Sequence, residues 1–396
     1  MSKFENIANS KFESQLLNSP DIVIALLIFF VGLVCFMSAS SKLKLSNRES
    51  ILIYFWHSFF AMIFIILDLG HGFDSVDWYL KRQFKLGISN NFISSISYTL
   101  DLLSIGYLGQ NALFNIMGGA SLLILYSLVK NLNKNNKTFF YKISVLVIFL
   151  PGFSLWSSGI SKDSISIFGL CLMLFSVSNK EKQWILFSLS AIIFGLARPH
   201  LLLFLLSGSL PFLIYYYVSS KLNFILKNIL LIFFSSVIIL IIYYALFFIP
   251  YNGSISLYID KVLGFGSMLR TTYQDTTLGI QLDTSYLSRI FYFLFKPFPT
   301  DVQGIRSVYF ALESAVLMIL FITFFFGIFS IKKNILFKNM KNSFFIYTFF
   351  FSVPFLLVFS YFISNYGISI RQKWMILPFF IIMFNYLLTK KKARLF

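Results

Sequence analysis

Charge is scarce in this chain, and acid is scarcer still. Of 396 residues 12% are charged, with only 15 Asp and Glu against 33 Lys and Arg. Soluble domains carry about a quarter charged residues, so a freely soluble globular protein is excluded. The two cysteines, Cys35 and Cys171, both fall inside apolar runs and form neither a disulfide framework nor a metal-ligand spacing. There are three histidines and no complete acidic metal motif, no Gly-rich phosphate loop and no Ser/His/Asp series. Neither a metal nor a cofactor is therefore expected. The first 20 residues are polar and mixed in charge, and no small-residue cleavage site follows the first apolar run. A cleavable signal peptide is not expected.

What fills the chain instead is apolar: 58% hydrophobic residues, 52 of them Phe, most of it lipid-facing bulk, and a mean hydropathy of +0.79. Many runs approach the length of about 20 apolar residues that crosses a bilayer. They place spans at 21–40, 51–69, 111–129, 143–159, 164–178, 183–197, 201–218, 228–250, 307–330, 343–363 and 374–389. A spanning backbone must satisfy its own hydrogen bonds, and barrel strands would be shorter and alternating. The expected fold is all-α, a polytopic transmembrane bundle of about eleven spans forming a single integral membrane domain over 1–396.

The breaks between spans alternate in kind. One set is filled with cations: Lys42, Lys44 and Arg48; Lys130, Lys134, Lys137 and Lys142; Lys180 and Lys182; Lys221 and Lys227; Lys332, Lys333, Lys338 and Lys341; and Lys390, Lys391, Lys392 and Arg394 in the tail. The positive-inside rule makes these cytoplasmic, the N-terminus outside and the C-terminus inside. It also accounts for the net charge of +18, so no nucleic-acid partner is expected. The other breaks face outward: 70–110, with Asp74, Asp77, Trp78 and Asp101; 156–163; Arg198-Pro199-His200; 251–306, the largest; and 364–373. Within 251–306, the stretch 287–298 is too short to span and too apolar for open solvent, and reads as a re-entrant or interfacial helix.

Candidate chemistry gathers in the outward set. Arg198 and His200 flank Pro199 with almost no loop around them, and a cation near membrane depth faces a cavity by default. Lys162 can meet a phosphate while Asp163 orients it or caps the next helix. Arg371 and Lys373 break the inside bias, although Trp374 and Tyr366 beside them also suit an interfacial belt. A guanidinium fork matches the oxygens of a diphosphate. Asp74 and Asp77, three apart, share a face if helical, and either is a candidate general base. Arg270, Arg289, Lys296 and Arg306 in the 251–306 break add positive charge. Cations converging on one membrane face, with few acids, point to an anionic, lipid-attached ligand such as a polyprenyl diphosphate.

Four stretches then resemble a family. They are Leu150 to Asp163 (LPGFSLWSSGISKD), Ala197-Arg198-Pro199-His200, Phe295-Lys296-Pro297-Phe298-Pro299 with Glu313 downstream, and Tyr366 to Lys373 (YGISIRQK). They resemble bacterial oligosaccharide repeat-unit polymerases of the Wzy type. The resemblance implies a multi-pass protein of the bacterial cytoplasmic membrane that transfers a growing glycan from undecaprenyl diphosphate onto a lipid-linked repeat unit at the outer face. The partners it implies are those lipid-linked glycans, the lipid bilayer and a chain-length regulator. The residues then take roles in an inverting, metal-independent transfer. Arg198 and Arg371, with Lys162 and Lys373, hold the diphosphate; His200 is the first candidate base, with Asp74 or Asp77 second; Asp163, Arg289 and Lys296 support. Lys296 stands where arginine is expected, which removes the bidentate fork there. Three rivals stay open. A polyprenyl-phosphate-sugar-dependent transferase would make Asp74 or Asp77 essential. An O-antigen ligase shares the substrate. A lipid-linked oligosaccharide flippase calls for charge through the span centres, which carry little.

Overall fold

The computed structural model describes residues 19–71, 74–85, 87–133, 139–179, 184–201, 204–205, 209, 285–301, 305–340, 342–363 and 366–388. Nearly all of the expected spans 201–218 and 228–250, and the loop from 251 to 284, lie outside them. Among the described residues there is no strand, as a bilayer-embedded backbone outside a barrel requires. Six helices among them are long and apolar enough to cross a membrane, and a seventh crossing arises if one bent pair counts as a span. The chain divides into two compact units, Met1–Pro199 with Ala393–Phe396, and His200–Lys392.

In the first unit α1 (Ser19–Lys42), α2 (Asn47–His71) and α5 (Tyr107–Leu132) have 24 to 26 residues. At 1.5 Å per residue each exceeds the ~30 Å hydrocarbon thickness. α1 leaves Leu26, Leu27, Phe30, Val31 and Val34 more than half exposed, as suits a lipid face, whereas α5 is the buried centre of the unit. The α5 N-terminus is preceded by Gly106, which has no side chain to cap it. Asp21 of α1 does so from another helix, its carboxylate accepting from Leu108 N at 2.7 Å and Gly109 N at 3.1 Å, where the helix dipole favours an anion. At the opposite end Lys130 Nζ lies 2.6 Å from Glu49 Oε1, and Tyr126 donates to the same oxygen at 3.0 Å.

α6 (Phe139–Ile148) continues through Pro151 into α7 (Pro151–Trp156), together 18 residues. The chain then turns at 157–161 and descends as α8 (Lys162–Ser178), which forms a hairpin with α9 (Trp184–Ala197). These two helices stand where spans 164–178 and 183–197 were expected. Their 17 and 14 residues lie at and below the lower limit of about 17 for a full crossing. The turn after α7 presses on α5 at Gly118, where an added Cβ would collide with the Ser157 carbonyl and meet His57 Nε2 at 2.6 Å. Gly118→Val should therefore destabilise the unit by at least about 1–3 kcal/mol through overpacking, read as a lower midpoint of unfolding in detergent.

The break at 70–110, expected as a loop, is largely helical. α3 (Asp74–Leu80) and α4 (Asn90–Leu102) pack on each other and cap this end of the unit. Val76, Tyr79 and Ile93 bury against Tyr107, Phe114, Ile160, Ile165 and Ala197. Apolar positions on short polar helices supplied that face, and the polar residues between them hid it.

The second unit holds α10 (Tyr286–Phe295), α11 (Ile305–Phe329), α12 (Lys333–Met340), α13 (Ser343–Phe362) and α14 (Tyr366–Leu388). α12 and α13 meet at 79°. α14 is buried along most of its length, with Phe384 stacked on Phe324 at 3.6 Å and Phe379 on Phe351 at 4.0 Å. The short helix expected at 287–298 is α10; it buries Phe293, Leu294 and Phe295 and exposes Leu287. The break expected at 364–373 is corrected: from Tyr366 onward it is the first two turns of α14. Trp374 is correspondingly buried, not part of an interfacial belt.

Candidate functional site

Two polar clusters sit near helix ends, one in each unit. In the first, Ser161 and not Asp163 caps α8, its hydroxyl accepting from Ser164 N at 3.2 Å. That leaves the Asp163 carboxylate, on the first turn, to pair with the Arg198 guanidinium just past the end of α9. Both are buried, with side-chain exposures of 1% and 8%. Removing two charges from water is expensive, and a buried pair persists only because each ion satisfies the other. Arg198 is thus a charge with its counter-ion already built in.

Lys162 points the other way. Its ammonium donates to Ser89 Oγ at 3.3 Å and to Asn90 Oδ1, at the start of α4, and lies 5.7 Å from the Trp78 ring. Ser89 N in turn donates to Leu196 O at 2.7 Å, which ties the cap to the end of α9. Beneath lies a bonded network that sequence reasoning missed. Asp68 Oδ2 accepts from Tyr107 Oη at 2.6 Å and from Val76 N at 3.0 Å. Asn111 Oδ1 accepts from Ser75 Oγ and from Ile160 N, both at 3.2 Å. An acid one residue from the end of the apolar run 51–69 was the one available signal for Asp68.

Asp77 projects from α3 into solvent and pairs with Lys81 at 2.9 Å. Arg82 lies over the Tyr79 ring and pairs with Asp101 at 2.9 Å. Burial pushes the Tyr79 phenol above its ordinary range, so it stays neutral beneath the cap. The side chains of Asp74 and His200, and the whole of Arg270, lie outside the described residues.

The second cluster joins two stretches that are 77 positions apart in sequence. Lys373, on α14, is wholly buried and donates to Ser314 Oγ of α11 at 3.2 Å. Ser314 donates to the Lys296 carbonyl at 3.3 Å. The Lys296 ammonium lies 3.6 Å from Asp301 and 4.6 Å from the Tyr292 ring. Glu313, 2% exposed, accepts from the Tyr309 hydroxyl and acts electrostatically on Lys373. Arg371, on α14, and Arg289, on α10, are half-buried. Ser369 anchors the start of α14 by donating to Phe293 O at 2.9 Å.

The structure therefore brings together Lys162, Asp163 and Arg198 in one unit, and Lys296 and Lys373 in the other through Ser314. These charges sit within two or three turns of helix ends. A hydroxyl inside an apolar run gave no sequence signal for Ser314. Compared with protein-family models, with curated proteins and with solved structures, the chain matches none.

Proposed function

We propose that the protein is a membrane glycosyltransferase that polymerises polyprenyl-diphosphate-linked oligosaccharide repeat units at the outer face of a bacterial cytoplasmic membrane. The observation that carries this reading is Lys373. An ammonium has three N–H donors, and among the described residues this one, fully buried in a membrane helix, spends a single donor on a neutral hydroxyl. Ionisable groups inside membrane helices are costly and mark sites of function by default. A diphosphate supplies the further hydrogen-bond acceptors that such a group can take.

In the transfer the acceptor hydroxyl attacks the anomeric carbon and the sugar–phosphate bond breaks. The diphosphate leaves with the electron pair while a base takes the hydroxyl proton. Lys373, with Arg371, offsets the charge that develops on the leaving group. Lys162 and the Asp163-paired Arg198 make a separate polar cluster in the first unit. His200 is the candidate base, ahead of Asp74 and Asp77, since imidazole titrates near neutrality.

Deleting the gene in its host and resolving surface glycan on a gel tests this directly. Loss of a polymerase leaves single repeat units on the acceptor, with no ladder above them. Bare acceptor with accumulated polymer would mean a ligase. Absence of even the single unit would mean a transferase or a flippase.

A further inference from the structure

The interface between α2 and α5 carries a polar seam that the glycan reading does not use. Ser50, His57 and Asp68 are buried on α2 at spacings of seven and eleven residues, which place them on one side of the helix. From Ser50 to Asp68 is about 27 Å at 1.5 Å per residue, close to the ~30 Å hydrocarbon thickness. On α5 the facing side presents Tyr107, Asn111, Asn115 and Gly118. Asn115 Nδ2 donates to Ser58 Oγ at 2.9 Å.

Several polar atoms in this seam have no hydrogen-bond partner among the described residues. They are both ring nitrogens of His57, Asn115 Oδ1, Ser50 Oγ and, on the adjoining α7, Ser154 Oγ. His57 has no exposure at all. Its Nε2 lies 2.6 Å from where a Gly118 Cβ would stand, and its Cδ2 3.2 Å from the corresponding point at Gly119, so two glycines make room for the ring. A buried donor or acceptor left unmade costs about 1–3 kcal/mol. For packing alone, leucine would serve better at position 57. Buried water bonds such groups and is retained where several polar atoms converge.

We propose that the α2–α5 seam binds a file of ordered water and that His57 relays protons along it. One imidazole nitrogen accepts a proton from water while the other releases its own to water on the far side. Exchange of the two tautomers then resets the ring. One proton has moved and nothing is oxidised or reduced. Toward the cap the file continues through Asn115 and Asn111 to the Tyr107–Asp68 hydrogen bond. Toward the other end it reaches Ser50 beside the Glu49–Lys130 pair. The titratable groups along it are thus Asp68 and Tyr107 above His57 and Glu49, Tyr126 and Lys130 below. Cys171 of α8 adjoins the lower part of α5 through Ser121.

The test uses the purified full chain in phosphatidylethanolamine/phosphatidylglycerol liposomes loaded with potassium and pyranine. Valinomycin then sets an inside-negative potential that draws protons in. The wild-type protein should acidify the lumen faster than protein-free liposomes. His57→Leu, which fills the same space with apolar atoms, should return entry to the protein-free rate, whereas His71→Gln should leave it unchanged. Wild-type entry no faster than protein-free liposomes, or His57→Leu entry as fast as wild type, would overturn the proposal. If His57→Leu fails to fold, the wild-type comparison still decides.

Discussion

Asp163→Ala, by itself, should lower the stability of the first unit by about 3–5 kcal/mol, the largest loss expected from a single truncation in this chain. The reason is what stays behind: Arg198, with 8% side-chain exposure, would keep its charge and lose its counter-ion. Arg198→Met alone should cost a comparable amount, because the carboxylate is then stranded. The double variant Asp163→Leu/Arg198→Met should recover most of the loss, since apolar groups of similar volume replace a buried pair at little or no net cost. Urea or thermal unfolding in detergent, monitored for all three variants, gives the coupling energy directly. Additive losses in the double variant would show that the two charges act independently and that the contact between α8 and α9 is held by packing alone.

Lys373→Met should have the opposite profile. Its side chain is already fully buried, with the Ser314 hydroxyl as its hydrogen-bond partner and Glu313 acting on it electrostatically. Methionine keeps the length and removes the charge, and the buried Glu313 keeps its hydrogen bond from Tyr309, so the stability loss should stay below that of Asp163→Ala. Glycan ladders should nevertheless collapse to single repeat units, because the group that meets the leaving diphosphate is gone. Removing an electrostatic donor aimed at developing charge typically costs about 10²–10³ in rate. Normal ladders in a stably folded Lys373→Met protein would sink Lys373 as the diphosphate group. Ser314→Ala tests the same site more gently, since it frees the ammonium without removing it.

The contrast between these two sites shows how much of the molecule can be read without coordinates. Long apolar runs announce α1, α2, α5, α11 and most of α14, because a membrane crossing needs little beyond length and hydropathy. The pairing of Asp163 with Arg198 was within reach in principle. The two residues open and close a helical hairpin, α8–α9, so their separation of 35 residues returns them to the same end. The start of α14 was not within reach. Arg371, Gln372 and Lys373 resemble a polar break, and the stretch continues as buried helix with Lys373 donating to the Ser314 hydroxyl on another helix. The cap helices α3 and α4 escaped for a related reason: their apolar positions are few and count only once Tyr107 and Phe114 are beneath them. Hydropathy reports what lipid demands of a segment and says little of what a neighbouring helix offers it.

The grip of Asp21 on Leu108 and Gly109 has a consequence in time. The contact spans 87 residues, and translation runs at about 5–20 residues per second, so α1 is made roughly 4–17 s before the residues it caps exist. During that interval the Asp21 carboxylate has no α5 terminus to hold, and α1 has only α2 to pack on, where Tyr54 donates to the Phe29 carbonyl at 2.8 Å. Its broad apolar surface suits that wait. When the Asp21 cap forms is then set by when Tyr107–Leu132 enters the bilayer, not by when α1 does.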